Sequence, residues 1–283
     1  MTRLAERISL RQRVFRLNRI NRMINESAKG GGHKKLFSAY IMPGFPRAES
    51  TFEILESADA AGVDFVELGI PFSDPLADGP VIQRASQVSI ENGVTPALIL
   101  EFVRKFRTAS QLPIILMGYI NSFLNGIGEN FAEKLSDAGV DGVIIPDLSL
   151  EESADIRKEV EDAGLSFVLL IAPTSSNDRI EEISKATTDF SYCVSVTGVT
   201  GARQNLVSGE VTDFLKRVRK NSGKPFVVGF GISTPEAASE ISKHSDGIVV
   251  GSALLQQISK APQGEEAKFA YEFLKSLRTA VDK

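Results

Sequence analysis

One cysteine and two histidines are all that 283 residues offer to thiol or imidazole chemistry. A lone Cys193 cannot form an intrachain disulfide and leaves no cysteine cluster for zinc, so a reducing, cytoplasmic setting is expected. His33 falls in a polar N-terminal link, and His244 ends a helical pattern on the face opposite the expected site. No spacing of His and carboxylate fits a metal, so proton transfer would rest on carboxylates and tyrosines. No apolar run approaches 18 residues, so no membrane-spanning helix is expected. There is no excess of positive charge either: a net charge of −4 and a pI near 5.5 argue against nucleic acid or an anionic membrane as partner.

Basic charge is concentrated in the first 24 residues, where Arg3, Arg7, Arg11, Arg13, Arg16, Arg19 and Arg22 face one acid, Glu6. That balance suits a transit peptide, but Ser and Thr are scarce. Leu10, Val14, Leu17, Ile20 and Ile24 recur at steps of three and four, which favours an amphipathic helix.

After Gly30–Gly32 the chain alternates apolar, strand-like runs with amphipathic helical patterns. The strands expected are 37–42, 65–70, 113–119, 142–147, 167–173, 189–196, 225–230 and 247–251. Helices are expected near 49–61, 80–92, 96–109, 129–138, 151–163, 178–187, 208–221, 234–243 and 265–281. DAAGVD (59–64), DAGVDG (137–142) and DAGLSF (162–167) each set a glycine between helix and strand, where it closes the helix and returns the chain to a parallel strand. Eight such units point to an α/β fold, a (β/α)₈ TIM barrel with an extra N-terminal helix. Residues 1–17 would be a basic extension and 18–283 one barrel domain. A doubly wound open sheet gives a similar alternation, but no GxGxxG follows the first strand.

In such a barrel, chemistry sits at the C-terminal ends of strands. That rule selects Glu67 and Asp78 after strand two, Tyr119 and Asn121 after strand three, and Asp147 after strand four. It also selects Tyr192 and the loop Thr197 to Asn205 after strand six, Gly229-Phe230-Gly231 after strand seven, and Gly251-Ser252 after strand eight. Glu67 interrupts the apolar run Phe65, Val66, Leu68, Ile70. A carboxyl there is either structural and hydrogen-bonded to backbone, or functional with a pKa raised toward neutrality. Asp78, among small and polar residues, would stay ionised. The glycines after the last two strands either turn the chain or admit backbone N–H groups to a phosphate, with Ser252 opening a short helix. Residues 197–203, with Gly198 and Gly201 as hinges, read as a lid, the alternative being a merely flexible loop.

Glu67-Leu68-Gly69-Ile70-Pro71-Phe72-Ser73-Asp74-Pro75-Leu76-Ala77-Asp78-Gly79-Pro80 resembles the signature of the tryptophan synthase α-subunit family. Met117-Gly118-Tyr119 with Asn121, Thr197-Gly198-Val199-Thr200-Gly201, Gly229-Phe230-Gly231-Ile232-Ser233 and Gly251-Ser252 follow in order, so the likeness covers about residues 18–283. The resemblance implies retro-aldol cleavage of indole-3-glycerol phosphate to indole and glyceraldehyde 3-phosphate. It implies Glu67 as acid and base, Asp78 as acceptor for the indole N–H, and Tyr192 beside the substrate. Thr200 would close the lid toward Asp78, Phe230 would wall the indole, and Gly201, Gly231, Gly251 and Ser252 would bind the phosphate. It further implies a β-subunit partner in an α2β2 heterotetramer, with pyridoxal phosphate only in that partner and no cofactor here. Ser149 stands where the family usually has proline, and Phe45 where many members carry aspartate. The competing readings are a stand-alone lyase releasing indole, a barrel for another phosphorylated metabolite, and a non-catalytic activating subunit. The second would want a lysine or metal ligands at strand ends; intact Glu67 and Asp78 weigh against the third.

Overall fold

The computed structural model describes residues 18–28, 34–194 and 209–283. Among these, nine strands run parallel in one sheet: β1 (Leu36–Ile41), β2 (Phe65–Gly69), β3 (Ile114–Met117), β4 (Gly142–Ile144), β5 (Ser166–Val168), β6 (Leu170–Ile171), β7 (Ser191–Cys193), β8 (Phe226–Val228) and β9 (Gly247–Val250). The order is β5-β4-β3-β2-β1-β9-β8-β7-β6. β5 and β6 are one stretch of chain parted only at Leu169. Its first half pairs with β4, its second with β7, and the Leu169 carbonyl accepts the Tyr192 N–H at 3.0 Å. The sheet therefore curls into a barrel, and the expected fifth strand is this stretch.

The helices are α1 (Arg19–Ala28), α2 (Ser50–Ala61), α3 (Pro80–Glu91), α4 (Pro96–Arg107), α5 (Phe131–Ala138), α6 (Ala154–Asp162), α7 (Asn177–Ala186), α8 (Gly209–Asn221), α9 (Pro235–Ser242), α10 (Ser252–Lys260) and α11 (Glu266–Val281). A π-helical turn, Ser122–Ile127, follows β3 and was not expected from the sequence. Proline opens α3, α4 and α9, where its missing N–H is no loss. The three repeated junctions behave as expected: Gly62, Gly139 and Gly164 take φ of 87°, 95° and 78°, a conformation only glycine adopts freely.

Strand alternation divides the core in two. Leu36, Phe65, Ile115, Ile144, Val168, Phe190, Tyr192, Val227 and Val249 point into the barrel. Their neighbours, among them Phe37, Val66, Leu116, Phe167 and Ile248, face the helices. α1 lies across the N-terminal end of the barrel, with Ile20 fully buried in the interior cluster and Met23 and Ile24 packed on it. Polar contacts pin it there. The Asn18 amide donates to the Asp141 carbonyl (2.6 Å) and Ser166 Oγ (2.8 Å). Arg19 pairs with Asp141 at 2.9 Å, and Asn21 donates to Asp189 at 3.1 Å. These partners precede or begin β4, β5 and β7, so one end of the barrel is stoppered and the chemistry is left to the other. Ile20→Ala is expected to cost about 2–5 kcal/mol, because a buried side chain is removed from a packed interior. Urea unfolding measures this; an unchanged midpoint would show that the stopper contributes nothing.

Candidate active site

Alternation along β2 turns Phe65, Glu67 and Gly69 inward, with Glu67 level with Tyr40 of β1 and Ile115 of β3. Glu67 is 0% exposed, and neither of its carboxyl oxygens has a hydrogen-bond partner. Burial pushes its pKa up to about 8; the nearby Tyr192 and Ser38 hydroxyls oppose the rise but close no hydrogen bond of good geometry. The carboxyl therefore carries its proton at neutral pH. The two tyrosines beside it fit because neighbouring strands carry glycine. A side chain at Gly69 would collide with the Tyr40 hydroxyl, and one at Gly229 with the Tyr192 hydroxyl.

Asp78 lies in the loop between β2 and α3 and is half-buried. The Tyr119 hydroxyl donates to Asp78 Oδ2 at 3.1 Å and accepts the Ala77 N–H at 2.8 Å. Burial pushes Asp78 up to about 6, against the pull of that hydrogen bond, so it is mostly ionised at neutral pH. Two carboxyls at one mouth thus sit on opposite sides of neutrality, one protonated and one charged, an arrangement that separates an acid from an electrostatic acceptor.

On the far side of the mouth, Gly231 has φ of 67°, and Gly251 precedes α10 without any side-chain cap. By contrast Thr95, Ser176 and Thr234 each accept a first-turn N–H of α4, α7 and α9. No N-cap side chain satisfies the first-turn N–H groups of α10, and an uncapped helix N-terminus favours negative charge beside it.

Tyr192 stands inside the barrel beside Glu67. Phe230 packs with Val228 and Ile232 in the cluster between barrel and helices. Thr200, Gly201 and the rest of the expected lid lie outside the described residues, as do the basic extension 1–17 and His33. The described residues hold no group of three or more His, Cys, Asp or Glu able to hold a metal. Ser149 forms a reciprocal cap with Glu152, its hydroxyl donating to the Glu152 carboxylate at 2.9 Å and accepting its N–H at 3.3 Å. Phe45 is buried with Tyr40, Met42, Ala85 and Leu255. Beside it an apolar groove of about 540 Å³, lined by Val81, Arg84 and Val88, runs outside the barrel and holds neither carboxyl. The sequence reading missed Tyr40 and Ser38, whose place opposite Glu67 follows from β1 alternation once the strand register is known. Tyr119 was selected by position but given no task.

The family model described as tryptophan synthase alpha chain matches residues 27–281. The chain is 44% identical over 270 residues to the tryptophan synthase alpha chain of Pelodictyon phaeoclathratiforme, covering 92% of this chain and 99% of that one. To the alpha chain of Dehalococcoides mccartyi it is 43% identical over 249 residues, 88% of this chain and 96% of the relative. Among solved structures, tryptophan synthase subunit alpha from Legionella pneumophila superposes with a TM-score of 0.85 at 34% identity, over 94% of this chain and 98% of that one. A chain of the tryptophan synthase complex from Pyrococcus furiosus gives 0.78 at 31% identity, over 86% and 98%.

Proposed function

The chain belongs to the tryptophan synthase alpha chain family, and from that premise we propose that it cleaves indole-3-glycerol phosphate to indole and glyceraldehyde 3-phosphate. The observation that carries the reading is Glu67: a carboxyl sealed in the barrel, unpaired at both oxygens, beside an ionised Asp78. The reaction needs a proton delivered to indole C3 and another taken from the adjacent glycerol hydroxyl. The C–C bond then breaks, its electron pair returns to the indole ring, and the carbon bearing the hydroxyl becomes the aldehyde. One carboxyl does both in turn, giving its proton to C3 and receiving the hydroxyl's, so Glu67 ends as it began. While C3 is protonated the ring nitrogen is positive and its N–H strongly acidic, and Asp78 stabilises it as a charged acceptor. Gly231, Gly251 and Ser252 hold the phosphate through backbone N–H groups, Tyr192 lies against the substrate and Phe230 backs the indole wall.

The protein works with a β subunit in an α2β2 assembly in the cytoplasm, has no cofactor of its own, and leaves pyridoxal phosphate to the partner. Support for the partner lies at the mouth: Leu76, in the loop that carries Asp78, is 92% exposed, and Leu124 projects from the turn after β3. A relative of similar fold was solved as a tryptophan synthase complex. No helix of the described residues is long and apolar enough to cross a membrane. The test is indole release from indole-3-glycerol phosphate, with and without a β subunit. Slow release that the partner accelerates is expected. No release in either case overturns the reading, and fast, unresponsive release makes the chain a stand-alone lyase.

The pH dependence follows from the two carboxyls. The free enzyme needs Glu67 protonated and Asp78 ionised, so kcat/KM is expected to plateau between about 6 and about 8. It falls toward acid as Asp78 gains a proton and toward alkali as Glu67 loses one. A profile flat from pH 5 to 9 would remove both assignments.

A further inference from the structure

Asp78 is held by a side chain that has had no part in the reaction so far. Tyr119 follows β3, is 7% exposed, and stacks on Phe72 with ring centroids 5.2 Å apart and planes at 26°. Its hydroxyl accepts the Ala77 N–H at 2.8 Å and donates to Asp78 Oδ2 at 3.1 Å. A phenol has one proton to give, and here it is committed to the carboxylate while a backbone N–H from the same loop fixes the oxygen that gives it. Asp78 Oδ1 has no hydrogen-bond partner among the described residues.

We propose that Tyr119 is the positioning residue for Asp78, tying Oδ2 to the barrel rim so that Oδ1 is the acceptor offered to the ring N–H of the substrate. The inference rests on the proposed cleavage and deepens it. A carboxylate turns broadly about its last torsion, so a free Asp78 would spread its charge over many orientations. Tyr119 removes that freedom before substrate arrives, and a fixed acceptor costs no reorganisation as charge develops. The same hydroxyl keeps Asp78 ionised. The titratable groups around Asp78 are Tyr119, Tyr40 of β1 and Tyr192 of β7, with Glu67 of β2 sharing Tyr40 as a neighbour. Of these, Tyr119 is the one that donates to Asp78, and its bond opposes the burial that raises the carboxyl. On the other side of Tyr119, Asp147 accepts the Ile120 N–H at 2.9 Å and holds the loop from which the ring projects.

Tyr119→Phe keeps the stacked ring and removes the hydroxyl. We expect kcat/KM at pH 7 to fall roughly 10- to 100-fold, the loss typical of a hydrogen bond to a charged group. The acid limb should move to higher pH, because a protonated Asp78 is then favoured. In an Asp78→Asn background the same change should alter kcat/KM less than about twofold, since the residue acts through Asp78. An unmoved acid limb, or an equal loss in both backgrounds, overturns the proposal and leaves Tyr119 as packing. Carbon-13 NMR titration of the Asp78 carboxyl in the two proteins reads the same claim without turnover. If the wild type releases no indole, the cleavage reading fails on its own, while a carboxyl that titrates at the same pH in both proteins defeats the positioning role.

Discussion

Glu67→Gln is expected to lower indole release by on the order of 10²–10⁴, and by more if one carboxyl serves both proton transfers. The amide has nearly the same shape, but it neither delivers a proton to C3 nor takes one from the glycerol hydroxyl. A second readout separates this loss from misfolding. In the folded protein Glu67 titrates near about 8, against an ordinary value of 4.5. Between those limits the folded state keeps a proton that the unfolded chain releases. Wild-type stability therefore falls as pH rises through that window, by up to about 1.4 kcal/mol per pH unit, and is level above it. Glutamine has no such dependence. Its unpaired amide costs about 1–3 kcal/mol at every pH. Relative to wild type the variant should thus gain several kcal/mol between pH 5 and pH 8.5, on the order of 4 by this linkage. Urea midpoints at the two pH values check it. A difference independent of pH would mean that Glu67 does not hold its proton in the folded state; retained turnover would end its catalytic assignment.

Gly251→Asp is expected to raise KM on the order of 100-fold while changing kcat much less, since a second negative charge within a few ångströms of a bound phosphate costs several kcal/mol at a partly buried site. The position accepts a side chain: the atoms nearest a Cβ there are Cβ, Cγ and Cδ1 of Tyr40, at 3.4, 3.8 and 3.9 Å, ordinary contacts. The new carboxylate lies at the uncapped start of α10, where it takes the N–H groups that the proposed reading gives to the phosphate and caps the helix. Gly231 is a poorer probe, because its φ of 67° strains any replacement. Gly251→Asn supplies the same shape without charge and should leave KM several-fold lower than the aspartate. The chain contains no tryptophan, so the indole fluorescence of a bound ligand can be followed by selective excitation above the tyrosine band. Equal KM values for aspartate, asparagine and wild type would place the phosphate elsewhere.

Much of the barrel was legible because its signals are local. The three Ala-Gly junctions and the apolar run around Glu67 each need only a few neighbouring residues. The π-helical turn and the break at Leu169 were not, since both depend on what the chain packs against rather than on its own pattern. Glu67 was visible as an acid in an apolar strand, and Asp78 by its place in the loop after that strand. Tyr119 was not visible as their support, because a hydroxyl that reaches across 41 residues to Asp78 leaves no periodicity to find. Gly229 has a reason to be glycine that its own sequence context does not show: the backbone makes room there for the Tyr192 ring.

The stopper at the N-terminal end of the barrel carries an implication for the order of assembly. α1 leaves the ribosome before the strands it docks on, since Asn18 finds Asp141 123 residues later, Ser166 148 residues later, and Asn21 finds Asp189 168 residues later. Its docking surface does not exist until β4, β5 and β7 have been made, so this helix waits for the middle of the chain. Contacts of such long separation form late on the folding route, where loop closure is most costly. Removing Ile20 should accordingly hasten unfolding far more than it slows folding. During synthesis an Arg-bearing helix stays undocked beside a half-built barrel whose apolar interior is open at that end, and the time before it seats is when the nascent chain is most exposed to association with its neighbours.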